Sequence, residues 1–225
     1  RFIFDVNVNV NAIEEYKSVR APIFSGSFFS GISSLPAGTC LNNGEFFCLN
    51  NVLIDNKRHQ SLDNIEAAIC RGIATRKVTD APLGLLLSKG VDSHLLMSLG
   101  DFKNLYSIGF EGDDDFEYLN KAQYKGLTLV KANTDDYKFD FEYLLELRQE
   151  PLSVPNEVLL YQVAKVARAD GIKVLLSGEG ADEFFGGYDR IFTWALNAEK
   201  FCLDTFLELY TCLLYTSPSP RDTRE

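Results

Sequence analysis

The chain has 225 residues, 46% of them hydrophobic and 12% aromatic, enough apolar material to bury the core of one medium-sized domain. Its formal charge of −10, from 22 Lys and Arg against 32 Asp and Glu, argues against non-specific binding to nucleic acid or an anionic membrane surface, because both need clustered cations. No run approaches the roughly 20 apolar residues of a membrane span, no targeting leader is recognisable, and the expectation is a cytoplasmic protein.

Phe2 to Val10 alternates apolar and polar residues in the manner of a strand, and Asn11 to Val19 can form a short helix. Ala21 to Leu41 is rich in Gly, Ser and Phe, with turns at Gly31 and Pro36. Asn42-Asn43-Gly44 marks a hairpin between Gly38–Leu41 and Glu45–Leu49. Residues 1–57 hold too few core candidates to stand alone and read as the end of a preceding domain plus a linker.

A different pattern follows over 58–215. Ser61 caps a helix through Lys77, with Leu62, Ile65, Ala68, Ile69 and Ile73 on one stripe. Leu83–Leu87 is a short apolar run without helical period and reads as a strand buried on both faces. Further strands are expected at Leu105–Phe110, Leu127–Ala132 and Ile172–Leu176, with helices over Phe116–Gly126, Asn156–Asp170 and Lys200–Tyr215. No element is assigned between Ala132 and Asn156. Strands alternating with helices predict an α/β fold, a parallel sheet with helices on both faces and a ligand crevice at the carboxyl ends of the strands. Residues 216–225, rich in Ser and Pro, read as a non-native tail outside the fold.

Two loops carry the chemistry. After the first strand, Ser88, Lys89, Gly90 and Val91 form a turn, and Asp92 and Ser93 are N-cap types opening a helix. A strand–loop–helix junction points backbone N–H groups and the positive end of a helix dipole at one spot, which suits phosphate or pyrophosphate. Val174 to Glu183 repeats the plan, with Ser177, Gly178, Glu179 and Gly180 in the turn and Asp182 entering the helix. Each acid taken alone could serve only the dipole of its own helix. Cys40, Cys48, Cys70, Cys202 and Cys212 are scattered without a C-x-x-C pair, which indicates neither a zinc site nor a disulfide framework. His59 and His94 are the only histidines, so carboxylates are the expected ligands of any Mg²⁺. Gly178-x-Gly180-x-x-Glu183 matches a dinucleotide fingerprint poorly, and no P-loop motif occurs.

Ser88-Lys89-Gly90-Val91-Asp92-Ser93 resembles the pyrophosphate loop of the N-type ATP pyrophosphatases, usually Ser-Gly-Gly-x-Asp-Ser. Ser177-Gly178-Glu179-Gly180-Ala181-Asp182-Glu183-Phe184-Phe185-Gly186-Gly187-Tyr188 is similar to the second signature of glutamine-dependent asparagine synthetases. Glu150-Pro151, Val154-Pro155, Tyr161 and Ala164–Arg168 resemble that family's middle stretch, and Phe29–Ile32 with Leu35–Gly38 resembles the close of its glutaminase domain. The resemblance implies an adenine nucleotide alpha hydrolase-like fold and an enzyme that uses ATP and Mg²⁺ to adenylate the aspartate side chain. Ammonia from glutamine then attacks the acyl-adenylate.

Carried over by position, the resemblance places Leu87 and Ile108 on the adenine side, and Ser177 and Gly178 at the nucleotide through their backbones. Ser88, Gly90, Asp92 and Ser93 would surround pyrophosphate, Asp92 and Asp182 would hold Mg²⁺, and Glu179 would take a proton from ammonia or assist adenylation. No nucleic acid or membrane partner is implied, and a homodimer of the full-length protein is compatible with it. Lys89 stands where the loop usually has Gly, and its Cβ would clash if the backbone there needs positive φ; Lys89→Gly then improves nucleotide binding if strain dominates and weakens it if the lysine is a ligand. His94 replaces a usual Ser. The family's N-terminal cysteine nucleophile and later helices are not in this chain, which reads as a fragment inactive alone. Two alternatives stand beside asparagine synthesis: a related amidotransferase or β-lactam-type synthetase acting on another acid, and a nucleotide-binding fragment without activity.

Overall fold

The computed structural model describes residues 7–48 and 61–216. The strand expected from Phe2 and the tail after Thr216 therefore lie largely outside the described residues. In chain order the elements are α1 (Val10–Val19), β1 (Thr39–Asn42), β2 (Glu45–Cys48), α2 (Leu62–Arg76), β3 (Leu83–Leu86), α3 (Val91–Gly100), β4 (Leu105–Gly109), α4 (Asp114–Ala122), β5 (Leu127–Lys131), α5 (Thr134–Arg148), α6 (Asn156–Ala169), β6 (Val174–Leu176), α7 (Ala181–Phe185), α8 (Asp189–Asn197) and α9 (Leu203–Thr216).

In the first segment Val10 belongs to α1 rather than to a strand, and Val8 makes only an isolated bridge to Phe29. The hairpin forms as expected. Asn43 and Gly44 take φ of 49° and 84°, the positive values that a two-residue type I′ turn demands of both residues. The Tyr16 hydroxyl donates to the Leu152 carbonyl (2.6 Å), which ties α1 to the loop ahead of α6.

The main sheet is parallel, in the order β5-β4-β3-β6. From β3 the chain steps outward to β4 and β5, then returns to lay β6 on the other side of β3. The order thus reverses between β3 and β6, and in doubly wound sheets such a switch point opens a crevice at the carboxyl ends of the strands. The pleat sends alternate residues to opposite faces. Leu85, Leu87 and Leu105 pack with Leu119 and with Leu96 and Met97 of α3, whereas Tyr106 packs with Val163, Ala167 and Ile172 on the α6 side. Helices cover both faces. Gly84 is required inside β3, because a Cβ there would stand 3.0 Å from Leu175 and 3.1 Å from the Tyr106 ring.

Four local expectations change. Ser61 does cap α2, its hydroxyl accepting from the Asn64 N–H (3.3 Å), but Leu62 and Ala68 are exposed, so the covered stripe is Ile65, Ile69 and Ile73. Helix α4 runs Asp114–Ala122 rather than Phe116–Gly126, ending where Gln123 turns left-handed (φ 49°). The fifteen-residue helix α5 was not foreseen, nor was α8. α5 is capped by the Asn133 side chain, which accepts from the Asp136 N–H (2.8 Å), with Asp135 and Asp136 in its first turn and Arg148 in its last.

Helix α6 is pinned to the sheet through the buried Tyr106, whose hydroxyl donates to the Asp170 carboxylate (2.9 Å). Burial, and then this carboxylate, push the Tyr106 phenol up to about 12. The folded state therefore holds the phenolic proton more tightly than the unfolded chain, so the contribution is intact below about pH 10 and is lost as pH rises through about 12. Tyr106→Phe is expected to cost about 1–2 kcal/mol in urea melts at pH 7. Between pH 10 and 12 the gap between parent and variant should narrow, and a gap that stays constant there would contradict the pairing.

Candidate active site at the switch point

Helix α3 begins two to three residues earlier than the caps in the sequence suggest. Gly90 is the N-cap, with extended backbone (φ −70°, ψ 150°), and Asp92 and Ser93 fall inside the first turn. No side chain caps this helix end. Its first-turn N–H groups therefore depend on partners other than a capping side chain.

Two serines knit the loop before it. Ser93 Oγ accepts from the Ser88 N–H (3.1 Å) and lies 3.1 Å from Ser88 Oγ. Its single proton has two acceptors within reach, Ser88 O at 3.0 Å and Gly90 O at 3.1 Å. Ser88 Oγ in turn accepts from the Gly90 N–H (3.1 Å). Ser93 is buried, so these bonds form in a site of low dielectric, where they hold the turn firmly.

The second loop follows β6. Gly178 approaches the first so closely that a Cβ there would lie 3.0 Å from Asp92 Cβ and 3.2 Å from Ser93 N. Gly180 (φ 90°) and Gly186 (φ 82°) bracket the short helix α7, which carries Asp182 and Glu183. A Cβ on Gly187 would collide with the Asp182 carboxylate, so glycine is needed there for that side chain to keep its place. Glu183 accepts from the Tyr188 hydroxyl (2.6 Å). Burial and then this carboxylate push the Tyr188 phenol well above its ordinary value.

A cavity of 580 Å³ opens where the loops meet. Leu87, Ser88, Asp92, Ser93, Ile108, Ser177, Gly178, Glu179 and Asp182, all picked out from the sequence, line it together. Gly90 is the exception: it is buried behind the wall and acts as the helix cap. Sequence reasoning missed Ser107 and Asp115 beside β4, and Asn156 and Glu157 at the start of α6. Only Asp115, in the helix that follows β4, carried a positional signal; Ser107 lies inside β4, and Asn156 and Glu157 open a helix that follows another helix. Five of the lining residues are acidic (Asp92, Asp115, Glu157, Glu179 and Asp182) and none is basic. Glu157 also accepts from the N–H groups of Ser153 (2.7 Å) and Val154 (3.2 Å) and pairs with Arg148, which fixes the entry to α6.

Lys89 does not line the cavity. Its backbone avoids positive φ and its ammonium faces Asp114 at 3.5 Å, so the strain expected from replacing the usual Gly is absent. Among the described residues, no group of three or more His, Cys, Asp or Glu side chains could hold a metal ion. Cys40, Cys70 and Cys202 are free thiols. No helix among the described residues is long and apolar enough to cross a membrane.

The sheet order, the helices on both faces and the cavity at the switch point define a parallel α/β domain of the doubly wound kind. The asparagine synthase family model matches residues 64–215, and the chain belongs to that family. It is similar to asparagine synthetase [glutamine-hydrolyzing] 1 of Bacillus subtilis, 27% identical over 203 residues that make up 82% of this chain and 32% of that protein. Similarity extends to asparagine synthetase [glutamine-hydrolyzing] 1 of Arabidopsis thaliana, 29% identical over 66% of this chain and 30% of that protein. A putative asparagine synthetase [glutamine-hydrolyzing] 1 of Methanocaldococcus jannaschii is 28% identical over 62% of this chain and 27% of that protein. The chain thus spans about a third or less of the length of these relatives.

The contact between the two loops can be tested through stability alone. Gly178→Ala inserts a methyl against Asp92, an overpacking cost of about 1–3 kcal/mol offset by about 0.4–1 kcal/mol from a stiffer unfolded chain. A net loss of about 1 kcal/mol is expected in urea denaturation. A variant as stable as the parent would place the loops further apart than described.

Proposed function

We propose that the full-length protein makes asparagine by ATP-dependent amide synthesis, and that the cavity between β3 and β6 is the adenylation site. The observation that carries the reading is the close approach of Gly178 to Asp92 and Ser93, which sets both acid-bearing loops against one space.

A carboxylate resists attack because its leaving group would be oxide, and adenylation replaces that group with AMP. In the first step an oxygen of the aspartate side chain attacks the α-phosphorus of ATP, the bond to the bridging oxygen breaks, and pyrophosphate leaves. Ammonia then attacks the acyl carbon, the bond to the AMP oxygen breaks, and one proton is released. Leu87 and Ile108 offer an apolar surface to adenine, and the Ser177–Gly178 backbone faces the nucleotide. Ser88, Ser93 and the N-terminal end of α3, with Gly90 at the N-cap, receive the pyrophosphate portion. Glu179 is the acceptor for the proton lost from the attacking nitrogen.

The acidic lining fits a nucleotide that arrives with a divalent cation. Asp92 and Asp182 both line the cavity, and Mg²⁺ usually takes one or two protein carboxylates and completes its shell with phosphate and water. Asp92 and Asp182 would hold it, and bound there it offsets the charge that builds between the α and β phosphates. A preceding glutaminase domain, of which residues 1–57 are the end, supplies the ammonia.

Exchange of labelled pyrophosphate into ATP by the full-length protein tests this directly. Exchange that requires aspartate is the expected result, with Asp92→Asn and Asp182→Asn each lowering it about a hundredfold or more. Exchange that requires a different acid would point to a related amidotransferase. Nucleotide binding with no exchange under any acid would overturn the reading.

A further inference from the structure

His94 is the second departure from the usual pyrophosphate loop, and its side chain bridges two parts of the domain. Nδ1 lies 3.0 Å from the Gly90 carbonyl oxygen and Nε2 lies 3.0 Å from the Tyr124 hydroxyl, in the turn between α4 and β5. A carbonyl can only accept, so Nδ1 carries the hydrogen, and in the neutral imidazole Nε2 accepts from Tyr124. The Tyr118 hydroxyl stands 3.3 Å from that of Tyr124, and both rings meet the imidazole edge-on, with centroids 6.0 and 5.6 Å away. The imidazole is thus held by one aromatic from α4 and another from the turn after it.

The carbonyl it grips is the one that caps α3. Gly90 O also accepts the helical bond from the His94 N–H (3.2 Å) and lies in reach of Ser93 Oγ (3.1 Å). Three donors therefore converge on an oxygen with two lone pairs. The peptide that follows is trans, so its C=O and N–H point in opposite directions. Turning the Gly90 oxygen back into the helix aims the Val91 N–H outward, toward the space from which an anion meets the helix end.

We infer that His94 is a positioning residue for the phosphate loop: by clamping the Gly90 carbonyl against the Tyr118–Tyr124 pair, it presets the peptide that receives the phosphates of the nucleotide. The inference rests on the adenylation reading, because it takes a polyphosphate as the ligand of this loop. It assigns His94 no contact with substrate and no proton transfer. It also explains why a residue larger than the usual Ser is tolerated two residues after Asp92: its two ring nitrogens have fixed partners.

Calorimetric titration of the full-length protein with MgATP and, separately, with adenosine tests it. His94→Ala should weaken MgATP binding about fivefold, the worth of one such hydrogen bond, and leave adenosine binding unchanged. His94→Asn, whose amide can still donate to Gly90 O, should retain most of the MgATP affinity. Tyr124→Phe removes a single hydroxyl and keeps the fold testable; it should weaken MgATP binding less than His94→Ala does. The double variant should be no weaker than His94→Ala alone, since the two act in one chain. Equal losses for MgATP and adenosine, or a lower melting temperature with unchanged MgATP affinity, would reduce His94 to a packing role and overturn the inference while leaving the adenylation reading intact. A parent protein that binds no MgATP would overturn both.

Discussion

The return of the chain to pair β6 with β3 is the constraint on which the site depends. That pairing aligns Leu83 with Val174 and Leu85 with Leu176, so the two strands end level with each other and their loops emerge side by side. A Cβ on the residue at 178 would stand 3.0 Å from Asp92 Cβ, so glycine suits this close approach of the two loops. Slipping the register by one residue would turn Leu175 and Leu176 to the wrong faces and carry the second loop away from the first. The site is thus a consequence of sheet topology before it is a property of any side chain.

An acidic cavity at a helix N-terminus resolves an apparent conflict. The backbone end of α3 favours negative charge, yet Asp92, Glu179 and Asp182 already bring it. Carboxylates near that end are stabilised by the dipole, and they repel a bare polyphosphate. In the proposed reading a divalent ion shared between carboxylates and phosphates would satisfy both, with the N–H groups orienting the anion and the metal neutralising it. Lys89 does not supply that charge: it is turned toward Asp114 on the exposed side of the loop.

The strands and the hairpin were legible because short apolar runs and Asn-Gly have few alternative readings. Both signature loops were legible for the same kind of reason: small residues between a strand and a helix announce a turn, and their acids announce charge chemistry. Helix α5 was not. Tyr137, Phe139, Phe141 and Tyr143 alternate with polar residues as a strand would, which hides the helical period. In the fold the buried stripe is Asp140 and Leu144, while Phe139 is 70% exposed. A charged residue occupies the place where pattern reading looks for an apolar one. Likewise the N-cap lies two to three residues ahead of Asp92 and Ser93 because Gly90 can occupy it without a side-chain oxygen, and no composition rule distinguishes it from an ordinary turn glycine.

That buried acid bears on the cavity. Asp140 accepts from Lys165 (2.7 Å) and from Gln162 (2.9 Å), both on α6, so the two helices are joined through a buried carboxylate with a partner on each oxygen. Such a pair adds little net stability once desolvation is counted, but it disfavours other registers, which would strand a carboxylate in the core. At the C-terminal end of α6, Tyr106 holds Asp170; at the N-terminal end, Glu157 gathers the Ser153 and Val154 N–H groups. Helix α6 is therefore fixed at its two ends and its middle by polar contacts with defined direction, whereas apolar packing alone would let it slide. Its first turn, with Asn156 and Glu157, forms the wall of the cavity opposite the phosphate loop. The position of that wall relative to the two loops, and with it the size of what can bind, is set in part through Asp140 and Asp170, which do not line the cavity.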